Sequence, residues 1–372
     1  MLLVTREYPP FIKGGMCRIT EQMIKRNGQN NIDLTMIANQ PFPYISKEKI
    51  NGVKVHRVPS LGSTFLSQLP FFGFFSSLLL KNMQHEFDAI YSNFSPLFCK
   101  VTRPLIASFH ATRYGEKQAC MESGKPLYAF LNYLYIPFDQ IMLRKADGII
   151  ALSTHMAHEL VAIGGNKNKI EIIPSGVDTY KFKPLKPRNF ITSEYKILYV
   201  GRFDERKGLN ILLLAFKKVL KKIRARLFLA GSGKLEKEIR RLATSLSIPV
   251  NFLGVVPQES LPALYNSADL FVLPSLYEGM PLAALEAMAC GTPTIVSNAS
   301  PYIGIPRFQK GSISSLEKIL IEYLSSKEKR QALSKLSLKI SKDFSWDRII
   351  ENTFIYIHNV VSQKQQNTFL NV

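Results

Sequence analysis

Short apolar runs bounded by turn residues recur along this chain, and helical spacing fills many of the gaps between them. In the first half the runs occupy residues 2–5, 34–37, 53–57, 88–92, 105–109, 148–153 and 170–178. In the second half they occupy 196–200, 227–230, 250–253 and 270–273. Helical patterns cover 16–26, 209–223, a stretch near Leu261, 281–290, 316–325, 329–340 and a last segment from Trp346 to about residue 361. Short buried strands alternating with helices predict parallel sheets joined by right-handed crossovers, hence an α/β fold. At 372 residues the chain has room for about two domains. A polar stretch at 181–193, with Pro184 and Pro187, places the boundary, giving domains 1–184 and 185–345. The Gln-rich tail 362–372 is expected to be disordered.

Residues 58–80 break the pattern, being free of charge and rich in Phe and Leu. The length approaches a membrane span, but Pro70, Gly73, Gln68 and several serines speak against one. A core-packed helix pair is the first expectation. A patch dipping into a lipid surface stays open as the second.

The densest pattern lies at 277–291, after the apolar run 270–273. Pro281 fits a first helical position and Gly291 a C′ position, with Pro293 blocking continuation. A short helix therefore opens after a strand. Leu282, Leu285 and Ala289 form its apolar stripe, and Glu286 falls on the same stripe. A carboxylate there needs a partner, for which a ligand hydroxyl is one candidate. The N–H groups of Leu282 and Ala283 are expected to face outward at the positive helix end, where phosphate is attracted. Two further cations, Arg202 and Lys207, follow the run 196–200 and precede the next helix. Such a pair can neutralise a diphosphate without a metal ion. Near the amino terminus, Gly14 and Gly15 separate a strand from a helix and would let backbone amides approach a phosphate. His110 follows the run 105–109, at the carboxyl end where ligands of doubly wound sheets gather.

The run Glu278-Gly279-Met280-Pro281-Leu282-Ala283-Ala284-Leu285-Glu286, with Gly-Arg-x-x-x-x-Lys-Gly at 201–208 and Tyr-Pro-Pro before Gly14-Gly15, resembles the retaining glycosyltransferases of group 1, or family 4. The resemblance implies the GT-B fold: two Rossmann-like doubly wound domains facing across a cleft, with helix 346–361 crossing back to the first. It implies donor binding by Gly14, Gly15, Arg202, Lys207, Gly279, Met280, Leu282, Ala283 and Glu286. Glu286 would hold the ribose, Glu278 the donor sugar, and His110 would lie near the reacting centre, so His110 and Glu278 are the catalytic candidates. The family's usual His after the two glycines is absent, with Arg18 nearby, and the segment after Ser297 is shortened.

Net charge is +20, about +10 on each side of residue 190, so no single tail carries it. Spread positive charge favours nucleotide phosphates or anionic lipid. No nucleic-acid motif appears, and a nucleic-acid partner is not expected. Cys17, Cys99, Cys120 and Cys290 have neither metal spacing nor disulfide density, which suits a reducing cytosol. No metal site and no cofactor are expected. The opening residues turn charged too soon for a signal peptide.

The expected activity is transfer of a sugar from a UDP- or GDP-type donor to an acceptor hydroxyl, with retention. The acceptor is expected to be a lipid-linked or cell-surface glycan, met in the cytoplasm or at the inner membrane face. Two competing readings are a nucleotide-sugar epimerase of the same fold and an inactive basic protein that binds membrane or nucleic acid.

Overall fold

A computed structural model describes residues 1–11, 17–27, 32–41, 43–62, 65–122, 124–185, 190 and 192–369. The chain divides into two compact units, residues 1–175 with 347 onwards, and 176–346. The boundary thus falls nine residues before the one expected from the proline-rich stretch. Local packing sets it: Val177 bridges Ser345, and Gly176 packs so closely on Trp346 that an added Cβ would lie 2.7 Å from the indole.

Among the described residues, the sheet of the first unit has eight strands. They are β1 (Leu2–Thr5), β2 (Thr35–Pro41), β3 (Ser46–Ile50), β4 (Val53–Ser60), β5 (Ile90–Asn93), β6 (Leu105–Phe109), β7 (Gly148–Ala151) and β8 (Ile170–Ile172), in the order β3-β4-β2-β1-β5-β6-β7-β8. All pairs are parallel except β3–β4, a hairpin turned by Asn51 and Gly52, both with positive φ. The central strands are buried on both faces, as parallel strands between helical layers must be.

The helices of this unit are α1 (Cys17–Arg26), α2 (Phe65–Met83), α3 (Arg113–Glu122), α4 (Pro126–Lys145) and α5 (Thr154–Ala162). Residues 58–80 are therefore not a helix pair. Residues 58–60 complete β4, and residues 65–80 belong to the single helix α2, which tolerates Pro70 near its start. Leu69, Phe72 and Leu80 of α2 are core.

The second unit holds a six-stranded parallel sheet among the described residues: β9 (Tyr195–Val200), β10 (Ala225–Ala230), β11 (Val250–Gly254), β12 (Leu270–Leu273), β13 (Thr294–Ser297) and β14 (Arg307–Phe308), in the order β11-β10-β9-β12-β13-β14. Its helices are α6 (Leu209–Val219), α7 (Glu236–Ser245), α8 (Leu261–Ser267), α9 (Leu282–Ala289), α10 (Ile313–Ser325) and α11 (Lys327–Ser341).

The last helix, α12 (Trp346–Phe369), starts in the second unit with Trp346 and belongs to the first from Asp347 on. Ile349, Ile350, Phe354, Ile357 and Val360 are buried along it. The Tyr356 hydroxyl donates to the Lys169 carbonyl at 2.7 Å and accepts from the Ile149 N–H at 3.0 Å. Residues 362–369, expected to be disordered, continue this helix. Lys364 Nζ ties them down at 2.7 Å from Asp147 Oδ2 and 3.0 Å from the Arg103 carbonyl.

Candidate functional site

Two loops at carboxyl ends of strands in the second unit build the site. After β9 the chain runs through Gly201 to Gly208, pressed against the loop after β10. An added Cβ at Gly231 would lie 1.9 Å from the Gly201 carbonyl oxygen, and one at Gly233 2.4 Å from that of Phe203. Only glycine permits that approach. Asp204 caps the following 3-10 turn by accepting from the Arg206 N–H at 3.1 Å. Gly208, at φ +63°, ends the turn and opens α6, where a Cβ would meet the Pro274 carbonyl oxygen at 2.2 Å. The loop after β12 is thereby locked to the loop after β9, and the Leu276 N–H donates to the Arg206 carbonyl at 2.6 Å.

This locking brings Lys207 to Glu278. The Nζ–Oε1 distance is 2.5 Å and both side chains are largely buried. Ser275 Oγ donates to the same carboxylate oxygen at 2.7 Å, and Ser297 Oγ in turn donates to the Ser275 carbonyl. Arg202 is 59% exposed and lies 3.3 Å from Asp204. Burial, with Glu278 and Asp204 nearby, pushes the Tyr199 phenol well above its ordinary range. The Tyr199 hydroxyl thus keeps its proton and donates to the Arg202 carbonyl at 2.8 Å.

The helix α9 differs from the amphipathic reading. Ala284, Leu285, Ala287, Met288 and Ala289 are buried, whereas Leu282, Ala283 and Glu286 are half-buried. Glu286 therefore shares the more open side with the first turn of the helix. It also has a protein partner: the buried Tyr265 hydroxyl donates to Glu286 Oε2 at 2.8 Å. Burial and this carboxylate keep the phenol protonated. Pro281 stands at the N-cap, one place before the expected first helical position, and Gly291 holds C′ at φ +69°. The Leu282 N–H is engaged by the Met280 carbonyl at 3.0 Å instead of facing outward free. The tight turn after Met280 causes that, because it folds the carbonyl back over the helix start. Gly279 is half-buried and Met280 buried beside these groups.

In the first unit, His110 directly follows β6, as the sequence reading placed it. Its Nε2 is buried without a hydrogen-bond partner, and burial lowers the imidazole to about 4, so the ring is neutral. Other polar groups follow β1 and β6. Arg6 and Glu7 form a buried pair at 3.2 Å, Thr112 Oγ1 donates to Glu159 at 2.6 Å, and the Arg113 N–H donates to Asp139 at 2.8 Å. Burial raises the Asp139 carboxyl to about 7. Phe94, just past β5, has a positive φ of 53°, a strained conformation for a bulky residue. Gly14 and Gly15 lie outside the described residues.

Asp204, Ser275 and Tyr265 were missed in the sequence. Asp204 carries a readable signal, an Asp opening a turn ahead of Gly208. Tyr265 is 21 residues from Glu286 and nothing local announces their pairing. Among the described residues no three His, Cys, Asp or Glu side chains gather as for a metal ion.

Two family models match the chain. Glycosyltransferase Family 4 spans residues 13–181, and Glycosyl transferases group 1 spans 182–337. An uncharacterized glycosyltransferase of Methanocaldococcus jannaschii is 26% identical over 94% of this chain and 96% of its own length. A GDP-mannose-dependent monoacylated alpha-(1-6)-phosphatidylinositol monomannoside mannosyltransferase of Corynebacterium glutamicum is 28% identical over 58% of this chain and 64% of its own. Among solved structures, HepE of Anabaena in complex with UDP and glucose superposes with a TM-score of 0.70, at 17% identity, over 96% of this chain and 99% of that one.

Proposed function

The chain belongs to the glycosyl transferases of group 1 and family 4, and from that premise we propose that it moves a sugar from a nucleotide-diphosphate donor to an acceptor hydroxyl with retention of configuration. It is a glycosyltransferase of EC class 2.4 with the GT-B fold.

The observation that carries the reading is the Lys207–Glu278–Ser275 cluster, where two strand ends meet. A donor pyrophosphate would take the charge of Lys207, with Arg202 swinging from Asp204 as the second cation. Glu278, released from Lys207 but still held by Ser275, would accept from hydroxyls of the donor sugar. The amides at the start of α9, after release of Leu282 from Met280, would complete the anion site of the second unit. Glu286, oriented by Tyr265, would accept from the ribose hydroxyls, and Gly279 and Met280 would line the sugar side. The neutral His110 suits a contact to sugar hydroxyls rather than to phosphate.

In the transfer, the bond from anomeric carbon to phosphate oxygen breaks and the acceptor oxygen attacks from the same face. The departing phosphate oxygen takes the acceptor proton, so no separate general base is needed. Positioning and leaving-group stabilisation do the chemistry. The GDP-mannose dependence of the Corynebacterium relative and the UDP bound to HepE support UDP- or GDP-linked sugars as donors. The charge of +20 supports an anionic, lipid-linked or cell-surface glycan as acceptor, met by a peripheral protein at the inner membrane face.

Single substitutions test the diphosphate role. Arg202→Ala and Lys207→Ala should each lower transfer by more than about tenfold, or ~1.4 kcal/mol of transition-state stabilisation, with an unchanged circular dichroism spectrum. Full activity in either variant would refute it. Transfer of label to acceptor, rather than isomerised donor, separates this activity from an epimerase.

A further inference from the structure

The helix α4 is built inside out for a helix bathed in water. Its inward positions include the polar Asn132 and Asp139, both buried. Its outward positions are Leu127, Tyr128, Phe130, Tyr133 and Leu134, each at least half exposed. No charged residue occurs between Lys125 and Asp139. A globular surface helix arranges these classes the other way round.

The apolar face does not stop at α4. Phe138 stacks edge-on with Phe98 at 5.8 Å, and Phe98 is itself partly exposed. Phe98 also lies against α2, where an added Cβ on Gly73 would be 2.8 Å from its ring. The Phe98 N–H donates to Ser77 Oγ at 2.7 Å, and Lys145 Nζ grips the carbonyls of Leu97 and Cys99. This loop therefore bridges the two helices. On α2, Phe71, Phe74 and Leu78 continue the exposed apolar surface. Contiguous exposed apolar patches of this kind mark docking sites.

Basic residues border the patch. Lys117 places its Nζ 5.3 Å over the Tyr133 ring, Lys125 precedes α4, and Lys81, Lys100 and Arg144 are exposed on the same helices and loop. On the acidic side, Glu122 is exposed at the end of α3, and Glu116 is paired with Arg113 at 2.8 Å. Two copies of a +20 chain would meet at this surface with like charges, which opposes self-association. Aromatic rings, leucines and a basic border together match an anionic bilayer. No helix among the described residues is long and apolar enough to cross a membrane, so the fit is to a surface.

We infer that the first unit docks on an anionic phospholipid surface through the outward face of α4, continued across Phe98 onto α2. The inference deepens the reading of a lipid-presented acceptor by assigning the surface that meets the lipid. The sequence pointed at 58–80; the larger exposed face lies on α4.

Flotation with phosphatidylglycerol-containing and pure phosphatidylcholine vesicles tests it without donor or acceptor. The full chain should float with anionic vesicles and stay behind with neutral ones. The triple variant Leu127→Ser, Phe130→Ser, Leu134→Ser should bind anionic vesicles at least about tenfold more weakly, since apolar burial contributes much of such binding. Lys117→Glu with Lys125→Glu should weaken it and flatten its salt dependence. A separate variant, Phe130→Trp, guards against misfolding. The one native tryptophan is buried, so a blue shift on vesicle addition reports the new indole entering lipid. Equal binding by the triple variant, no blue shift, or no binding by the parent chain would overturn the inference, as would a vesicle-free dimer abolished by the triple substitution. Loss of nucleotide-sugar transfer with intact flotation would instead count against the proposed reaction.

Discussion

Two groups of the first unit, the half-buried His110 and the buried Asp139, shift in opposite senses. Burial lowers His110 from 6.5 to about 4, so between those values the unfolded chain binds a proton that the folded chain refuses. The stability from His110 is complete above about 6.5 and is lost as pH falls through 4. Asp139 is opposite: burial raises it from 3.8 to about 7, so the folded chain keeps a proton that the unfolded chain releases. Its contribution is complete below about 3.8 and is lost as pH rises through 7. The two slopes oppose each other between about pH 4 and 6.5. Asp139→Asn should therefore show stability rising more steeply with pH over that range than in the parent, measured by urea midpoints. Parallel slopes in the two proteins would rule out a buried, titrating Asp139. Glu286 teaches a related lesson. Its need for a partner was legible from the sequence, but the partner, Tyr265, is supplied by another helix.

Among the elements, the turn into α6 decides where Lys207 stands. Gly208 combines a left-handed φ with a Cβ position 2.2 Å from the Pro274 carbonyl oxygen. Gly208→Ala must move the strand end or unwind the turn. It should lower stability by about 2 kcal/mol or more and weaken donor binding by displacing Lys207 from Glu278. Thermal denaturation and donor calorimetry read the two effects, and an unperturbed variant would show that the loops are not locked. Local chemistry foretold this element well, since Gly-Arg-x-x-x-x-Lys-Gly reads as a turn entering a helix. The hairpin at Asn51-Gly52 was equally announced by its turn residues but passed over. The helix α9 was found but its faces were misassigned, because short residues such as alanine carry little periodic signal.

Across the whole molecule, two properties are open to measurement. Truncation before Asp347 removes α12 from the first unit and strips cover from Gly148 and Ile149. Each large apolar side chain lost from burial costs roughly 1.5–3 kcal/mol, so the shortened chain should lose the first unit's unfolding transition in calorimetry. Retention of that transition would mean that the helix is dispensable. On the proposed reading transfer should also survive EDTA, since fixed cations at 202 and 207 would take the place of a metal on the diphosphate; a strict divalent requirement would overturn that reading. The sequence by itself determined the parallel α/β architecture, the family and the carboxyl-end positions of the key residues, because strand periodicity and glycine-rich turns are local properties. Tertiary structure alone decided that Lys207 meets Glu278, that Tyr265 holds Glu286 and that the 362–369 segment is helical. It also decided that α4, not the Phe-rich stretch alone, turns its apolar side outward. Each of these depends on which distant segments pack together, and burial, not composition, chooses the partner.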